Sequence, residues 1–273
     1  MHHVPLAFAH GTKLGTKLEE AFLNTNHAKM YLAINFVAIE SCVVGKSNLY
    51  RRSDLDRVNG SLKPTISSAA DDASRHGECG LAAFGRFLAE DNMIASALWH
   101  ELGLRHELSC DVARNVVGNM TLSDYVWRRV RWIRVRKHMA FAATLVEPLT
   151  EGVALSVVGF TSLRYTTGVS LWLFYTLHLA LWLLIDLDVC ISLAGHLGPE
   201  AMRFIGAWAM REILALPIWV IAIFGDGVEW RGKNYTVMRQ GEARRAGERT
   251  VRYWWWPRRR QRDEYERLEG APS

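Results

Sequence analysis

The sequence is poor in cysteine and has no metal-binding pattern of cysteine or histidine. Its four cysteines stand far apart in 273 residues and form no Cys-x-x-Cys pair. A disulfide framework is therefore not expected, and the thiols are predicted to stay reduced, facing cytosol or membrane. The ten histidines include no His-x-x-x-His or His-Glu-x-x-His spacing, which argues against a zinc site.

A signal peptide is also lacking. Residues 1–5 contain neither a basic region nor an apolar run, and both are needed for secretion. The chain starts almost inside a strand-like segment, so we expect it to be a truncated form of a longer protein.

The average composition hides a division along the chain. Hydrophobic residues make up 49% and charged residues 22%, which is ordinary for a globular protein. Residues 139–225 are nevertheless strongly apolar, whereas the parts before and after them are polar or charged. This pattern predicts a soluble module joined to a membrane module.

The net charge of +5 is concentrated in two basic clusters. One lies in residues 128–137, which contain no acid, and the other in the tail around residues 244–260. The first cluster borders the apolar region, which places it beside anionic lipid or on the cytosolic side of a membrane. No nucleic-acid partner is expected.

The apolar region contains three segments, Met139 to Leu163, Val169 to Ile185 and Phe204 to Gly225. The middle one is uncharged, but the first holds Glu147 and Glu151, and the third holds Arg211 and Glu212. Each central charge costs roughly 2.5–3.5 kcal/mol on insertion. The first and third segments are therefore expected to insert only with partners for their charges, or to lie partly in the interface.

The basic clusters constrain the topology. Three full crossings would put the arginine-rich tail on the opposite side from residues 128–137, against the positive-inside tendency. We therefore expect an even number of crossings, with one apolar segment interfacial, re-entrant or split in two.

Before the apolar region, the periodicities predict alternating helices and strands. Helices are expected at residues 17–24, 47–60 and 84–102, the last broken near Ala89, and in a segment capped by Thr121 or Ser123. Strand-like runs are Tyr31 to Ala38, Ser41 to Val44 and His106 to Val116, and residues 61–78 are predicted as a polar surface insertion. These elements indicate part of an α/β domain, with too few strands for a complete nucleotide-binding one.

The sharpest local pattern is Arg128-Arg129-Val130-Arg131-Trp132. On a helix, Arg128, Arg131 and Trp132 share one face. Two guanidinium groups and an indole on one face can hold a diphosphate and stack on a sugar or lipid head. A juxtamembrane helix with snorkelling arginines and an interfacial tryptophan would have the same pattern.

Acidic residues provide two further candidates. Asp91, after Glu90 at the start of a predicted helix, could serve as a general base toward an alcohol, but acids are also favoured there by the helix dipole. Asp186-Leu187-Asp188 spells the Asp-x-Asp of metal-dependent glycosyltransferases. We reject it as a metal motif because it ends the best membrane span, where no soluble domain surrounds it.

Several stretches together resemble the ceramide glucosyltransferases, and the resemblance covers most of residues 1–240. The matching stretches are Ser41 to Ser47 with Asp54 to Asp56, Gly80 to Asp91, Arg128-x-x-Arg131-Trp132, Glu147 to Glu151, and Trp230 to Gly232 with Tyr235. The arginine–tryptophan motif is shared with cellulose and chitin synthases, whereas Glu-Pro-x-x-Glu and the Trp-Arg ending are narrower. The length of the polar insertion resembles fungal members.

The resemblance implies an α/β plus membrane α architecture, the C-terminal half of a GT-A-like glycosyltransferase domain followed by transmembrane helices. The expected divisions are residues 1–127 for the cytosolic half-domain, 128–138 for a basic interfacial helix, 139–225 for the membrane region and 226–273 for a basic cytosolic tail. The resemblance further implies a multi-pass protein of the Golgi with its active site facing the cytosol.

The resemblance also implies an inverting transfer of glucose from UDP-glucose to the primary hydroxyl of ceramide. In that comparison Asp91 matches the base, and Arg128, Arg131 and Trp132 match the motif that meets the donor diphosphate and the acceptor. His2 falls where the family has a histidine. A divalent metal, Mg²⁺ or Mn²⁺, is implied too, but the family places its aspartate ligands ahead of the matched region, so they are absent from this chain.

Two other functions remain open. A catalytically inactive membrane protein derived from such an enzyme could retain the acceptor side and act through lipid binding or by pairing with a full-length copy, and homo-oligomerisation is compatible with either function. A polysaccharide synthase fits less well, because the membrane region is short and the Glu-Pro-x-x-Glu match is specific.

We expect the chain alone to bind UDP-glucose poorly, because the family places the aspartates that hold the metal, which neutralises the diphosphate, ahead of the matched region. Isothermal titration calorimetry of the detergent-solubilised protein with Mn²⁺ or Mg²⁺ measures this. A dissociation constant in the low micromolar range would contradict the prediction.

Overall fold

A computed structural model describes residues 1–64, 79–196, 200–230, 232–238 and 241–245. Most of the polar insertion expected at 61–78 lies outside the described residues, as does the arginine-rich tail after residue 245. None of the four cysteines, all of which are described, forms a disulfide, as the sequence predicts.

Nine α-helices and five β-strands make up the described part of the chain. The helices are α1 (Leu14–Phe22), α2 (Ala28–Val37), α3 (Arg52–Leu55), α4 (Glu90–Leu102), α5 (Leu122–Met139), α6 (Phe141–Val146), α7 (Gly152–Thr167), α8 (Leu171–Ala194) and α9 (Ala201–Ile223). A π-helical turn (Leu23–His27) joins α1 to α2, and 3₁₀ turns cover Gly80–Arg86 and Glu147–Thr150. The strands are β1 (His2–Ala9), β2 (Leu108–Val117), β3 (Gly227–Trp230), β4 (Lys233–Val237) and β5 (Ala243–Arg245).

The strands form two small sheets. β1 pairs in parallel with β2, from His2 opposite Leu108 to Ala9 opposite Val117, with an irregularity after His2. β3, β4 and β5 form an antiparallel sheet near the end of the described chain. The strand-like start and the strand expected at residues 106–116 are therefore confirmed, and the first sheet joins segments more than a hundred residues apart.

Two predicted strands are wrong. The run Tyr31 to Ala38 lies in α2, and Ser41 to Val44 forms no regular strand. The helix that begins at α1 continues through the π-helical turn, so that Ala28 and Tyr31 are buried against Val4 of β1. This burial outweighs the weak β-preference of the segment.

The helices predicted at residues 17–24 and 84–102 are confirmed, whereas the helix predicted at residues 47–60 is confirmed only in part. The chain is helical at residues 17–24, only a four-residue helix forms within 47–60, and residues 84–102 are broken before Glu90. Thr121, not Ser123, caps α5: its hydroxyl accepts from the Asp124 amide, while the Asp124 carboxylate accepts from the Thr121 amide. This reciprocal capping box satisfies two amides at the start of the helix.

The core lies where α1 and α5 pack along α9. Leu18 and Phe22 of α1, Ile133 of α5 and Trp208 and Ile218 of α9 belong to one buried cluster. Gly15 permits α1 to approach the start of α5, because a Cβ on Gly15 would lie 2.0 Å from the carbonyl oxygen of Thr121. The apolar face of α9 therefore packs against the soluble part of the chain.

Two helices, α8 and α9, are long and apolar enough to cross a membrane. The first apolar segment is bent by 73° between the part that contains α6 and α7, so it is either a broken span or a re-entrant pair. These segments indicate that the protein is membrane-associated. The number of crossings stays a prediction.

The charges in the apolar segments have partners, as expected. Arg211 in α9, only 1% exposed, lies 2.8 Å from Glu151 and 3.6 Å from Asp186, and it also pairs with Glu212. The Glu212 carboxylate accepts from the Gly152 amide at the start of α7. The Arg211 cluster, defined as these four charged residues, therefore joins α7, α8 and α9.

The Arg211 cluster also reaches the soluble part of the chain. Asn26 donates to Glu151 at 2.7 Å, and Lys29 donates to Asp186 at 2.8 Å. Glu147, the other acid of the first apolar segment, pairs with Arg136 of α5. The two modules are thus joined by two hydrogen bonds and an ion pair that are largely withdrawn from solvent.

We predict that Arg211→Met destabilises the protein by about 3–5 kcal/mol, because it leaves buried carboxylates without their cation. Arg203→Met is the matched control on the same helix, since Arg203 is 74% exposed and its ion pair among the described residues is with Glu200, one turn away. We expect that control to change stability by less than about 0.5 kcal/mol. Denaturant unfolding in detergent measures both, and equal effects would contradict the prediction.

Candidate functional site

Asp91 lies in the first turn of α4 with its carboxylate against Gly45. A Cβ on Gly45 would come within 2.7 Å of Asp91 Oδ2, so this approach favours glycine. The Asp91 side chain is half-buried, whereas that of Glu90 is exposed. The two acids therefore differ in exposure, and only Asp91 faces the loop formed by residues 41–47.

Two tyrosines share the surroundings of Asp91. Burial and then the charge of Asp91 raise the pKa of Tyr50 to about 12. Burial, followed by Cys42, also raises the pKa of Tyr31, and Asp91 contributes to this shift. Both phenols are consequently protonated at neutral pH and able to donate hydrogen bonds near the carboxylate.

Arg128 and Trp132 lie together on α5, as the helical spacing predicts. The Arg128 guanidinium is 4.9 Å from the centre of the Trp132 ring, and its Nε donates to Glu19 Oε1 at 2.8 Å. Arg129 also approaches Trp132, at 4.9 Å, and stacks on Phe22 at 3.4 Å. Trp132 is thus flanked by two cations.

Lys46 connects the Asp91 loop with Arg128. It follows Gly45 directly, and its pKa is lowered by desolvation and then by Arg128, while Glu19 acts in the opposite direction. These influences indicate that Lys46, Arg128 and Glu19 share one electrostatic environment. The loop therefore presents Gly45 to the carboxylate and Lys46 to the cationic end of the site.

Arg131 is directed toward the C-terminal sheet. Its Nη1 donates to the Glu229 carbonyl of β3 at 3.5 Å, whereas Arg128 bonds to α1. Leu88 and Ala89, just before α4, pack against a cluster that combines Val135 of α5 with residues of β3 and β4. The sheet thus holds the start of α4 beside the C-terminal half of α5.

A row of rings connects Trp132 with His2. Trp132 lies 6.1 Å from His27, His27 stacks on Tyr31 at 5.9 Å, and Tyr31 meets His2 at 5.4 Å. His2 Nδ1 and the Tyr31 hydroxyl also form a hydrogen bond. His2 is only 1% exposed, so it lies in the wall behind the site.

Both histidines of this row are neutral in the folded chain at neutral pH. Burial, with repulsion from Arg129 and Arg136, lowers the pKa of His27 to about 3. Burial and then His106 lower the pKa of His2 to about 4. A buried neutral imidazole favours stacking with Tyr31 and Trp132 over proton uptake.

The residues present do not fit a divalent metal. Within the described ranges, no group of three or more His, Cys, Asp or Glu side chains could hold an ion. Asp186, the first acid of the rejected Asp-x-Asp, is fully buried and accepts from Lys29 and Trp208. Its oxygens are committed to the Arg211 cluster and its neighbours.

Four residues around the predicted site were not identified from the sequence: Glu19, His27, Tyr31 and Lys46. Glu19 had a signal, because it lies among the buried positions of a short amphipathic helix, where an unpaired acid is unfavourable. His27 and Tyr31 had no such signal in the sequence, since their positions depend on the helical path through the π-helical turn and α2.

The family description "Glycosyl transferase family 21" matches residues 1–76 and 74–243. The ceramide glucosyltransferase of Komagataella phaffii is 34% identical over 87% of this chain and 55% of its own length. That of Candida albicans is 34% identical over 82% of this chain and 48% of its own. Ceramide glucosyltransferase 1 of Caenorhabditis elegans is 28% identical over 83% of this chain and 44% of its own length.

The chain spans about half the length of the curated relatives it matches. No solved structure matches it significantly. The half-domain of GT-A type therefore stays a prediction, and the described fold is a mixed helix and sheet arrangement with two candidate membrane helices.

The neutral histidines predict a pH dependence of stability. Because the folded pKa of His27 lies below its ordinary value of 6.5, the unfolded chain takes up a proton first as pH falls. The contribution of neutral His27 to the stability of the folded chain is complete above about pH 6.5 and decreases as pH falls toward 3. We expect His27→Phe, which keeps a ring in the row, to reduce the loss of thermal stability between pH 7 and 5.

The matched control is His10→Asn, at an exposed position. It should leave the pH profile of the melting temperature unchanged. An undiminished pH dependence in His27→Phe would show that other groups carry the whole effect.

Proposed function

We propose, from the premise that this chain belongs to glycosyl transferase family 21, that it provides the acceptor side of glucose transfer from UDP-glucose to ceramide. The observation that carries the proposal is the approach of the Asp91 carboxylate to Gly45, and the packing of Arg128 on Trp132 supports it. A base, two cations and an indole are what a transfer from a nucleotide sugar to an alcohol requires.

In the proposed reaction, Asp91 removes the proton from the primary hydroxyl of ceramide. The oxygen then attacks C1 of glucose while the bond from C1 to the UDP oxygen breaks, and the bonding electrons leave with UDP. One displacement inverts C1 and gives a β-glucosyl lipid. Arg128 and Arg131 stabilise the charge that develops on the diphosphate, and Trp132 stacks on the sugar or lipid head.

No step is assigned to a divalent metal, because the described residues provide no fitting ligand set. The metal that the family implies would supply charge neutralisation to the diphosphate. In this chain, the side chains that can share that role are Arg128, Lys46 and Arg131.

The apolar segments suit a multi-pass protein of the Golgi membrane that receives ceramide from the bilayer. Its site would face the cytosol. The basic α5, which lies along α9, supports placing the site at the cytosolic membrane surface. Four of the relatives that support this proposal are fungal.

A non-catalytic function is the second candidate. The absence of a metal-ligand cluster from the described residues favours a chain that binds lipid, or pairs with a longer copy, without transferring glucose. Ceramide binding without detectable transfer would support this alternative.

The base assignment predicts that Asp91→Asn lowers kcat by at least about 100-fold, because asparagine keeps the shape but cannot accept the proton. Binding of UDP-glucose should change little, since the carboxylate acts on the acceptor. Transfer of glucose to a fluorescent short-chain ceramide in detergent micelles measures the rate.

Glu90→Gln is the matched control, because Glu90 precedes Asp91 in the same turn but is exposed. It should reduce the rate only mildly. Loss of turnover in Glu90→Gln with near-normal turnover in Asp91→Asn would reverse the assignment. If neither change matters, the acids serve only the start of α4.

A further inference from the structure

Glu19 is a buried carboxylate with one oxygen bonded and one left without a partner. It is 1% exposed on α1, and its Oε1 accepts from Arg128 Nε at 2.8 Å. No described residue bonds to Oε2, which is also buried. Because a buried charge is costly unless it is paired, the contact with Arg128 explains how an acid is tolerated on this face.

The atom that Glu19 engages determines what the rest of Arg128 can do. Arginine binds phosphate in a planar fork, most often through two parallel N–H bonds. With Nε held by Glu19, the edge formed by Nη1 and Nη2 makes no hydrogen bond to a described residue. The Trp132 ring, 4.9 Å away, packs on the guanidinium. Together they hold the guanidinium in place.

Glu19 also moderates the repulsion between two cations. Desolvation and then Arg128 lower the pKa of Lys46, whereas Glu19 raises it. The carboxylate therefore favours the charged form of Lys46. This arrangement fits a ligand that carries more than one negative charge.

We propose that Glu19 is a positioning residue, which fixes Arg128 so that its Nη edge meets the diphosphate of a nucleoside diphosphate. The inference rests on the proposed function and deepens it. Glu19 does not touch the ligand, and its effect passes through Arg128. Gly15, whose lack of a side chain lets α1 approach α5, makes the contact possible.

The test is a ³¹P NMR titration of UDP with the purified chain in detergent, a method suited to weak binding. We expect Glu19→Leu to weaken UDP binding about tenfold, which corresponds to about 1.4 kcal/mol. Glu19→Gln keeps an acceptor oxygen for Nε and should stay within about threefold of the unmodified chain. Glu20→Gln, one residue along α1, is the matched control and should not change UDP binding.

Non-additivity distinguishes positioning from a general loss of structure. In an Arg128→Met background, Glu19→Leu should cause no further loss of UDP affinity, because its partner is already absent. Melting temperatures of all variants identify any that fail to fold. An equal loss from Glu19→Leu in both backgrounds, or no loss in either, overturns the inference.

The outcome for the proposed function is separate. Glucose transfer with UDP affinity unchanged by Glu19→Leu overturns the role of Glu19 and leaves the transfer intact. If the unmodified chain gives no phosphorus shift with UDP and no transfer to ceramide, both proposals are overturned.

Discussion

The fold depends on one buried cation. Arg211 lies in a helix that is otherwise apolar enough to cross a membrane, and it is 1% exposed. Its carboxylate partners come from α8, from the start of α7 and from α9 itself. A charge in this position is tolerated only when its partners are in place, so it determines how the apolar helices meet. Through Asn26 and Lys29 the same cluster fixes the soluble elements to the helices.

That attachment determines where the candidate site lies. The π-helical turn and α2, which carry Asn26 and Lys29, also carry His27 and Tyr31 into the wall behind Trp132. α5, which provides Arg128 and Trp132, packs along α9 on the other side. The site residues therefore stand on elements that are attached to the apolar helices, which suits a reaction on a lipid.

The sequence predicted the features that depend on short-range chemistry. A cap at Thr121 or Ser123 was expected before the basic helix, and the structure identifies Thr121. The need for partners among Glu151, Arg211 and Glu212 follows from the cost of charge in an apolar segment. It failed where distant packing decides the outcome. Tyr31 lies in a helix because that helix buries it against β1, and Arg128 bonds to Glu19 because α1 docks at Gly15. Neither contact leaves a periodic signal.

The 73° bend between α6 and α7 divides two charges between two modules. In a straight helix, Glu147 and Glu151 would stand one turn apart on the same face, and one partner surface would have to neutralise both. The bend sends Glu147 to Arg136 of the basic helix and Glu151 to Arg211 of the apolar bundle. Residues 147–151 thus act as a junction. If this stretch straightened, one carboxylate would lose its cation, so the angle between the modules is secured at both ends by charge.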